Sequence, residues 1–418
     1  MNADFLTFVN LIKDELTGEM TLENVDFEKI IKIAESQGMK TLLFSVLKKY
    51  NNDGRLKNAS ENFLEFEVNV TKRVFEYTKT QYEVNKVIKA LEKEGISCVI
   101  LKGDTLSSIY PHSELRMSGD TDILIDIKKE KKCLKLFKKM GCYVKKRTRT
   151  NNQSVIVHPK AGKFEIHISM DTKEVSEVWY NNVELVKEPY REKAVSGVYK
   201  YKTLSYTDTA LNLVLHVIKH FISGISHMRM VTDTVLFMDR NYDKIDFNRV
   251  CDTLSSLNYL TFFKCLCYIG NVYLGLENLK ADNEVKEQSE KILEDIYNCG
   301  LYGFDKLEAQ TYTYNIYSKN RFQKFGKNQN KSYKNYKIKL LINDTFDLIF
   351  KNKYEMMKIY PVLKKHIYLL PFMYIYRFFS CAFNTVFGKK NKKTDEDTQN
   401  NQEFMEKRLE LFEKMDMM

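Results

Sequence analysis

The stretch RMSGDTDILID, residues 116–126, decides the fold prediction. Two aspartates, Asp120 and Asp122, follow Gly119 and lead directly into the apolar run Ile-Leu-Ile, which is typical of a buried strand. Burying an isolated carboxylate is costly, so acidic side chains at the start of such a strand need a partner or a purpose. Residues i and i+2 of a strand project to the same side, so the two carboxylates can reach one point. We therefore expect a polar site at the start of this strand.

Five short apolar runs in this region are typical of strands. They are ISCVILKG (96–103), TDILIDI (121–127), CYVKKRT (142–148), QSVIVHP (153–159) and KFEIHISM (163–170). A short helix is predicted after Gly103, and residues 128–140 predict a second helix that ends at Gly141. Strands and helices that alternate, followed by strands joined by short turns, indicate a small mixed sheet with helices on one face.

Helical periodicity flanks this sheet on both sides. Apolar residues recur at spacings of three and four from Phe5 to about Leu91, where one long helix is predicted from about Ala59 to Lys93, and the pattern returns after Tyr206. The predicted fold class is therefore α+β and mostly helical, with a small mixed β-sheet between N-terminal and C-terminal helical segments. The expected segments are residues 1–90, 91–200, 201–310 and 311–418, and the last begins with a linker.

Length and composition set the limits of the prediction. A chain of 418 residues with 44% hydrophobic residues predicts two or three packed units that are mostly ordered. The net charge of +11 suits an anionic partner such as a nucleotide, a nucleic acid or a membrane surface, although lysine-rich solvated helix faces would give the same charge. The eight cysteines form no C-x-x-C pair, and the N-terminus lacks the pattern of a secretory signal. A cytoplasmic location is expected.

One late segment, residues 367–387, is long enough to cross a bilayer. Pro371, Arg377 and Asn384 interrupt it, and an arginine at the middle of a bilayer is costly. We expect a buried or interfacial helix pair with no transmembrane span. A peripheral membrane contact through residues 367–393, where lysines follow the apolar segment, is an open alternative.

The aspartate pair suits a metal site. Carboxylate oxygens are the ligands that Mg²⁺ selects, and two such ions can stabilise the attacking and leaving oxygens of a phosphoryl transfer. Gly103 ends the preceding strand, where backbone amides can meet an anion, and Glu165 lies between the apolar residues Phe164 and Ile166. If the strand of Glu165 neighbours that of the aspartates, three carboxylates converge. The alternatives are a solvated charge at a strand entry and a solvent-facing glutamate on an edge strand.

These motifs resemble a known family. Residues 99–126, VILKGDTLSSIYPHSELRMSGDTDILID, followed by FEIHISM (164–170) and LHVIKHFISGISHMRMVTD (215–233), resemble the uncharacterised bacterial nucleotidyltransferase family of the DNA polymerase beta-like nucleotidyltransferase superfamily. The resemblance implies a metal-dependent transferase that moves an NMP from an NTP to an unidentified acceptor and releases pyrophosphate. Two Mg²⁺ ions, or Mn²⁺, are the implied cofactors.

The resemblance also implies roles for individual residues. Asp120 and Asp122 would hold both metals and the NTP phosphates, and Glu165 would be the third ligand and the base that accepts the acceptor's proton. Gly103 would approach the triphosphate, and Gly119 is expected beside the nucleotide.

One departure from the family pattern concerns charge. Asp104 stands where many superfamily members have a small residue after the glycine, and it would repel phosphate if it pointed inward. Lys102 and Arg116 are expected to compensate as cationic phosphate contacts.

Three histidines complete the candidate set. His216 and His220 share a helix face, but Val217 stands where a zinc protease would need glutamate. A structural helix-face pair is the simple interpretation, and the resemblance implies that both histidines line the nucleotide cleft, with Arg229 and Asp233 beside them. His167 shares a strand face with Glu165 and is expected to orient it or to meet substrate.

A second class of function remains open at this level. The chain could be a catalytically inactive nucleotide- or RNA-binding protein of the same fold, for which Asp104 is the indication. The basic run KKRTRT (145–150) could bind a polyanion or form a solvated strand edge, and tyrosines 312, 314 and 317 could stack on bases or pack in a core.

Overall fold

The computed structural model describes residues 1–145, 153–168, 191–195, 199–299, 359–364, 366–387 and 406–417, together with positions 317 and 356. The chain forms two compact units. The first contains Met1–Tyr314 and Lys407–Met418, and the second contains Asn315–Glu406. The four expected segment boundaries stay a prediction, and the last segment contributes to both units.

The first unit begins with helices that enclose an apolar core. Their bounds are α1 Ala3–Thr17, α2 Phe27–Ser36, α3 Phe44–Asn52 and α4 Ser60–Lys93, with a small parallel pair formed by β1 Val25–Asp26 and β2 Leu56–Lys57. Asp26 caps α2 by accepting a hydrogen bond from the Lys29 amide at 3.2 Å. The long α4 agrees with the prediction of one helix to Lys93.

A seven-stranded mixed sheet follows α4. The strands are β3 Val99–Ile100, β4 Asp120–Leu124, β5 Tyr143–Lys145, β6 Gln153–His158, β7 Gly162–His167, β8 Arg191–Val195 and β9 Tyr199–Thr203, in the spatial order β5-β6-β7-β4-β3-β9-β8. The five predicted strands are all present. The prediction missed the hairpin of β8 and β9, of which β9 pairs in parallel with β3.

One face of the sheet lines an apolar cluster of the first unit. Ile123, Phe164 and Ile166 are fully buried there, in a cluster that includes Leu91 of α4 and Phe137 of the following helix α5, Glu130–Lys139. Because side chains alternate along a strand, the neighbouring residues on β4 and β7 point to the opposite face. The helix predicted after Gly103 is a 3₁₀ helix, Gly103–Ile109.

Helices return after the sheet, as predicted. They are α6 Tyr206–Ile222, α7 Met228–Arg240, α8 Phe247–Ser256, α9 Leu260–Tyr268 and α10 Lys286–Cys299. After α9 the chain continues as a π-helical turn, Ile269–Tyr273. Gly270 packs against Val235 and Leu279 there, and a Cβ on Gly270 would lie 2.7 Å from Leu279 Cδ1.

The chain closes the first unit with a terminal helix, α12, over residues 406–414. Arg408 is 2% exposed and lies 3.3 Å from Asp295 Oδ1, and its guanidinium donates to the Phe221 carbonyl and packs on the rings of Phe221 and Phe412. The fold class is thus α+β and mostly helical, as predicted.

Within the second unit, residues 367–387 form a 3₁₀ turn, Ile367–Leu369, and one long helix, where a helix pair was expected. This helix, α11, spans Leu370–Phe387, and Pro371 lies in its first turn, where a missing amide hydrogen costs nothing. Of the two expected settings, buried or interfacial, burial does not hold for its aromatic residues: Phe372, Tyr376 and Phe379 are each at least 59% exposed. The interfacial setting stays a prediction. None of the helices within the described residues is long and apolar enough to cross a membrane.

Candidate active site

The carboxylates meet because β4 and β7 are neighbours. The two strands pair in parallel, with Asp122 opposite Glu165 and Asp120 opposite Lys163. Since residues two apart share a face, all four side chains lie on the side of the sheet away from the apolar core. The structure therefore places Glu165 beside Asp122. The alternation of apolar residues on β7 predicted the face of Glu165, and the pairing of the two strands was left open.

A metal-binding arrangement is present among the described residues. Donor atoms of Asp122, Glu165 and His167 all lie within 4.8 Å of one another. Asp120 is not part of this group. Lys163 lies between Asp120 and Glu165: the Lys163 Nζ is 2.5 Å from Glu165 Oε1 and 3.5 Å from Asp120 Oδ2. The structure thus adds His167 to the expected ligand set and Lys163 to the site.

Asp122 is the most buried member of the site, with an exposure of 1%. Its Oδ1 accepts a hydrogen bond from His167 Nε2 at 2.9 Å. Its Oδ2 makes no hydrogen bond with the described residues, although Lys102 Nζ lies 3.4 Å away. Because buried carboxylate oxygens are normally satisfied, this atom is open to a further cationic partner.

The two aspartates differ in acidity. Burial alone would raise the pKa of Asp122, but the charge of Lys102 and the hydrogen bond from His167 hold that pKa below its ordinary value. Burial and then the charge of Asp122 raise the pKa of Asp120. The pair therefore ionises in sequence, with Asp122 first as the pH rises. Neighbouring carboxylates whose pKa values are pushed apart are typical of catalytic sites.

Lys102 joins the carboxylates to the histidines of α6. Its ammonium donates to His216 Nε2 at 3.0 Å, and the rings of His216 and His220 lie 4.4 Å apart in an edge-on arrangement. Burial and the charge of Lys102 lower the pKa of both histidines, to about 3 for His220. Both rings are neutral at physiological pH. His216 can therefore accept a hydrogen bond from the Lys102 ammonium without charge repulsion between the two side chains. The expected helix-face pair therefore also borders the site.

Arg116 has partners other than phosphate in this structure. Its guanidinium forms a bidentate ion pair with Asp233 of α7, at 3.1 and 2.5 Å, and donates to the Gly103 carbonyl at 2.8 Å. Tyr110 donates to the same carboxylate at 2.8 Å. Burial raises the pKa of Asp233, but the charge of Arg116 outweighs it and the pKa lies below its ordinary value. Arg116 and Asp233 thus form a buried ion pair that holds the glycine loop, and the phosphate contact of Arg116 stays a prediction.

The two glycines of the candidate set differ in their surroundings. Gly103 has a φ of +80°, and a Cβ there would lie 3.1 Å from Ser118 Oγ and 3.4 Å from the Asp120 carbonyl. Only glycine allows this close approach to the start of β4 without strain. Gly119 has open space around its Cα. The side chain of Asp104 and most of the basic run 145–150 lie outside the described residues, as do Tyr312 and Tyr314.

The sequence that forms this sheet and its carboxylates matches a known protein family. A family model described as "Uncharacterised nucleotidyltransferase" matches residues 23–275, which is more than half of the chain. The chain belongs to this nucleotidyltransferase family. The matched region contains every candidate site residue, and the family supports nucleotidyl transfer from an NTP as the general activity.

Other comparisons add little to the nucleotidyltransferase assignment. No curated protein matches the chain. One solved structure, the solution structure of the antibiotic-resistance factor ANT(2'')-Ia, aligns with 44% of this chain and 91% of its own at 9% identity and a TM-score of 0.32. A likeness at this level carries no argument about activity.

Sequence reasoning missed Lys163 and Tyr110 in this nucleotidyltransferase. Lys163 is two residues before Glu165, so the two-residue period of the strand could have placed it on the same face. Its position opposite Asp120 required the pairing of β4 with β7, which the sequence does not state.

Proposed function

We propose that the protein is a divalent-metal-dependent nucleotidyltransferase that transfers an NMP from an NTP to an acceptor and releases pyrophosphate. The observation that carries the proposal is the pairing of Asp122 with Glu165 on adjacent parallel strands, with the buried Asp122 Oδ2 making no hydrogen bond to the described residues. Family membership supplies the reaction class.

The residues present fit a hard cation. Carboxylate oxygens and a histidine nitrogen lie within 4.8 Å of one another, and Asp122 is ionised at neutral pH because its pKa is lowered. Mg²⁺ is the proposed ion, with Mn²⁺ as a substitute, since oxygen donors dominate the set. Asp122 and Glu165 would hold it, and Asp120 is the further carboxylate on the same face. When bound, two such ions neutralise phosphate charge and favour in-line displacement.

The chain's own residues then have distinct tasks. In the proposed step, the acceptor oxygen forms a bond to the α-phosphorus, the bond from that phosphorus to the β-phosphate oxygen breaks, and pyrophosphate leaves. Glu165 accepts the proton of the acceptor hydroxyl. Lys102, whose ammonium already lies at the carboxylates, neutralises phosphate charge, and the neutral His216 orients it. Gly103 leaves room for the triphosphate beside β4.

The experiment that tests this proposal measures pyrophosphate release from each NTP with a cell extract as the source of acceptor. We expect release with Mg²⁺, none with EDTA, and none from Asp122→Asn. Asp126→Asn is the matched control, because Asp126 is exposed and lies just beyond the end of β4. Metal-independent release, or full activity of the Asp122 variant, would contradict the proposal.

The alternative is an inactive nucleotide- or RNA-binding protein of the same fold. It predicts that labelled NTP binds to the protein while no pyrophosphate appears under any condition. The ionised, buried carboxylate favours the enzyme, because a binding protein for anions has no use for a negative charge at this position.

We also propose a peripheral contact of the second unit with an anionic membrane surface. Phe372, Ile375, Tyr376 and Phe379 are spaced at i, i+3, i+4 and i+7 on α11 and are 56–67% exposed, which is an apolar stripe turned to solvent. The sequence KKNKK at 389–393 adds four lysines soon after the helix. An exposed aromatic stripe with adjacent cations suits the interface of anionic lipids.

Vesicle flotation tests the membrane contact. We expect flotation with phosphatidylglycerol vesicles, reduced flotation with neutral vesicles, and none for Phe372→Ser with Phe379→Ser. Phe75→Ser is the control, because Phe75 is 58% exposed on α4 of the first unit. Absence of flotation together with self-association that the double variant removes would assign the stripe to a second copy of the chain instead.

A further inference from the structure

The register of β4 and β7 places Lys163 in the carboxylate site. It lies directly opposite Asp120 on the paired strand and two residues before Glu165, so the backbone alone places it on the carboxylate face. Its ammonium is 2.5 Å from Glu165 Oε1 and 3.5 Å from Asp120 Oδ2. One cation therefore bridges two of the three acidic groups.

The charge balance of the site explains why a cation is needed. Three carboxylates on one face repel one another and raise each other's pKa unless positive charge lies between them. Lys102 forms an ion pair with Asp122, and Lys163 forms ion pairs with Asp120 and Glu165.

The Lys163 ammonium lies between two carboxylates, where a divalent cation that bridges Asp120 and Glu165 would also lie. Asp120 and Glu165 each direct a carboxylate oxygen at Lys163, and Asp120 stays outside the group of donors that converge around Asp122. The lysine side chain is 43% exposed, and its four-carbon stem can swing toward solvent without movement of β7.

We propose that Lys163 occupies the cation position between Asp120 and Glu165 and that a divalent cation binds both of these carboxylates together only by displacing it. The inference rests on the metal site of the proposed function. It makes Lys163 a residue that sets metal affinity, because the free energy of its ion pairs is lost whenever metal enters. The displaced ammonium is left beside the site, where an anionic substrate can neutralise it.

Direct Mn²⁺ binding in the absence of nucleotide tests the proposal, with free Mn²⁺ measured from its EPR signal. We expect Lys163→Met to lower the Kd for Mn²⁺ by roughly fivefold, the factor that corresponds to an ion pair of ~1 kcal/mol. Lys163→Gln should lower the Kd for Mn²⁺ by a similar factor. It serves as a second test if one of the two variants fails to fold. The titration is run in about 0.5 M KCl, where the screening length is roughly 4 Å and only a contact effect persists.

Two controls separate the possible outcomes. Lys160→Met removes the same charge from the exposed turn before β7 and should leave the Kd within about twofold of wild type, because charges outside contact distance are screened. Asp122→Asn should abolish binding. If the Asp122 variant loses Mn²⁺ while both Lys163 variants match wild type, the Lys163 proposal is overturned and the metal site stands. If no protein binds Mn²⁺, including the Lys163 variants, both proposals fall.

Discussion

The Asp233 carboxylate ties the glycine loop to the helical part of the first unit. It neutralises Arg116, which in turn donates to the Gly103 carbonyl, and both members of the pair are almost fully buried. A buried ion pair contributes little over an apolar pair of equal volume, but loss of one partner leaves an uncompensated charge.

We therefore expect Asp233→Asn to lower the free energy of unfolding by about 3–5 kcal/mol, because the buried guanidinium would lose its counter-charge. Urea denaturation measures this change. Asp243→Asn, an exposed change just after α7, should stay within about 0.5 kcal/mol of wild type. Equal stabilities for both variants would show that Arg116 finds another partner.

Gly103 allows a test of the close approach to β4. Gly103→Ala combines strain at a φ of +80° with a 3.1 Å contact to Ser118 Oγ. Gly95→Ala is the matched control, because Gly95 has a φ of +70° and nothing within 4 Å of its Cβ position. We expect each variant to lose about 1–2 kcal/mol from backbone strain, and only the Gly103 variant to lose nucleotidyl transfer. Full transfer by Gly103→Ala would remove Gly103 from the triphosphate site.

At the scale of elements, α1 carries a buried acid that makes stability depend on pH. Glu15 accepts a hydrogen bond from the Val46 amide at 2.9 Å, and burial raises its pKa from 4.5 to about 7. A carboxyl group whose folded pKa is raised binds its proton more tightly in the folded state. The contribution of protonated Glu15 to the free energy of unfolding is complete below pH 4.5, and it is lost as the pH rises through 7.

Glu15→Gln should remove this dependence while keeping an oxygen for the Val46 amide. We expect the stability of the variant relative to wild type to increase by roughly 3 kcal/mol between pH 4.5 and pH 8, as measured by urea denaturation at each pH. Glu19→Gln, an exposed change just after α1, should show no such trend. A constant difference for Glu15→Gln would mean that Glu15 stays charged in the fold.

The elements that the sequence predicted are those with a strong local signal. The period of apolar residues predicted α4 to its last residue, and the alternation on β7 placed Glu165 on the face opposite Phe164 and Ile166. The hairpin of β8 and β9 was missed because its strands, REKAV and YKYKT, are rich in charged residues and lack a long apolar run. The ion pair of Arg116 with Asp233 was not predicted, because the two residues are 117 positions apart in the sequence.

At the scale of the whole molecule, the first unit is completed by a helix from the end of the chain. Phe412 of α12 is fully buried, with its ring 5.6 Å from that of Phe221. No periodicity in the sequence could show this return, because the terminal helix by itself is amphipathic and compatible with any apolar surface.

Truncation of Phe412 should therefore destabilise the first unit as a core change does. We expect Phe412→Ala to cost about 3–5 kcal/mol in a denaturation experiment. Phe75→Ala, the same change at a site that is 58% exposed, should cost less than about 1 kcal/mol, including its contact with Lys79. A small cost for Phe412→Ala would indicate that α12 is dispensable for the first unit.

The return of α12 has a consequence for biosynthesis. Domains usually begin to fold while the ribosome is still adding residues, at about 5–20 residues per second. The surface formed by Phe221 and its neighbour Phe262, whose rings lie 5.0 Å apart, is translated long before Arg408 and Phe412 emerge to cover it. The nascent chain thus presents an apolar surface for the time needed to translate nearly half of the protein, and it is during this interval that chaperones would engage it.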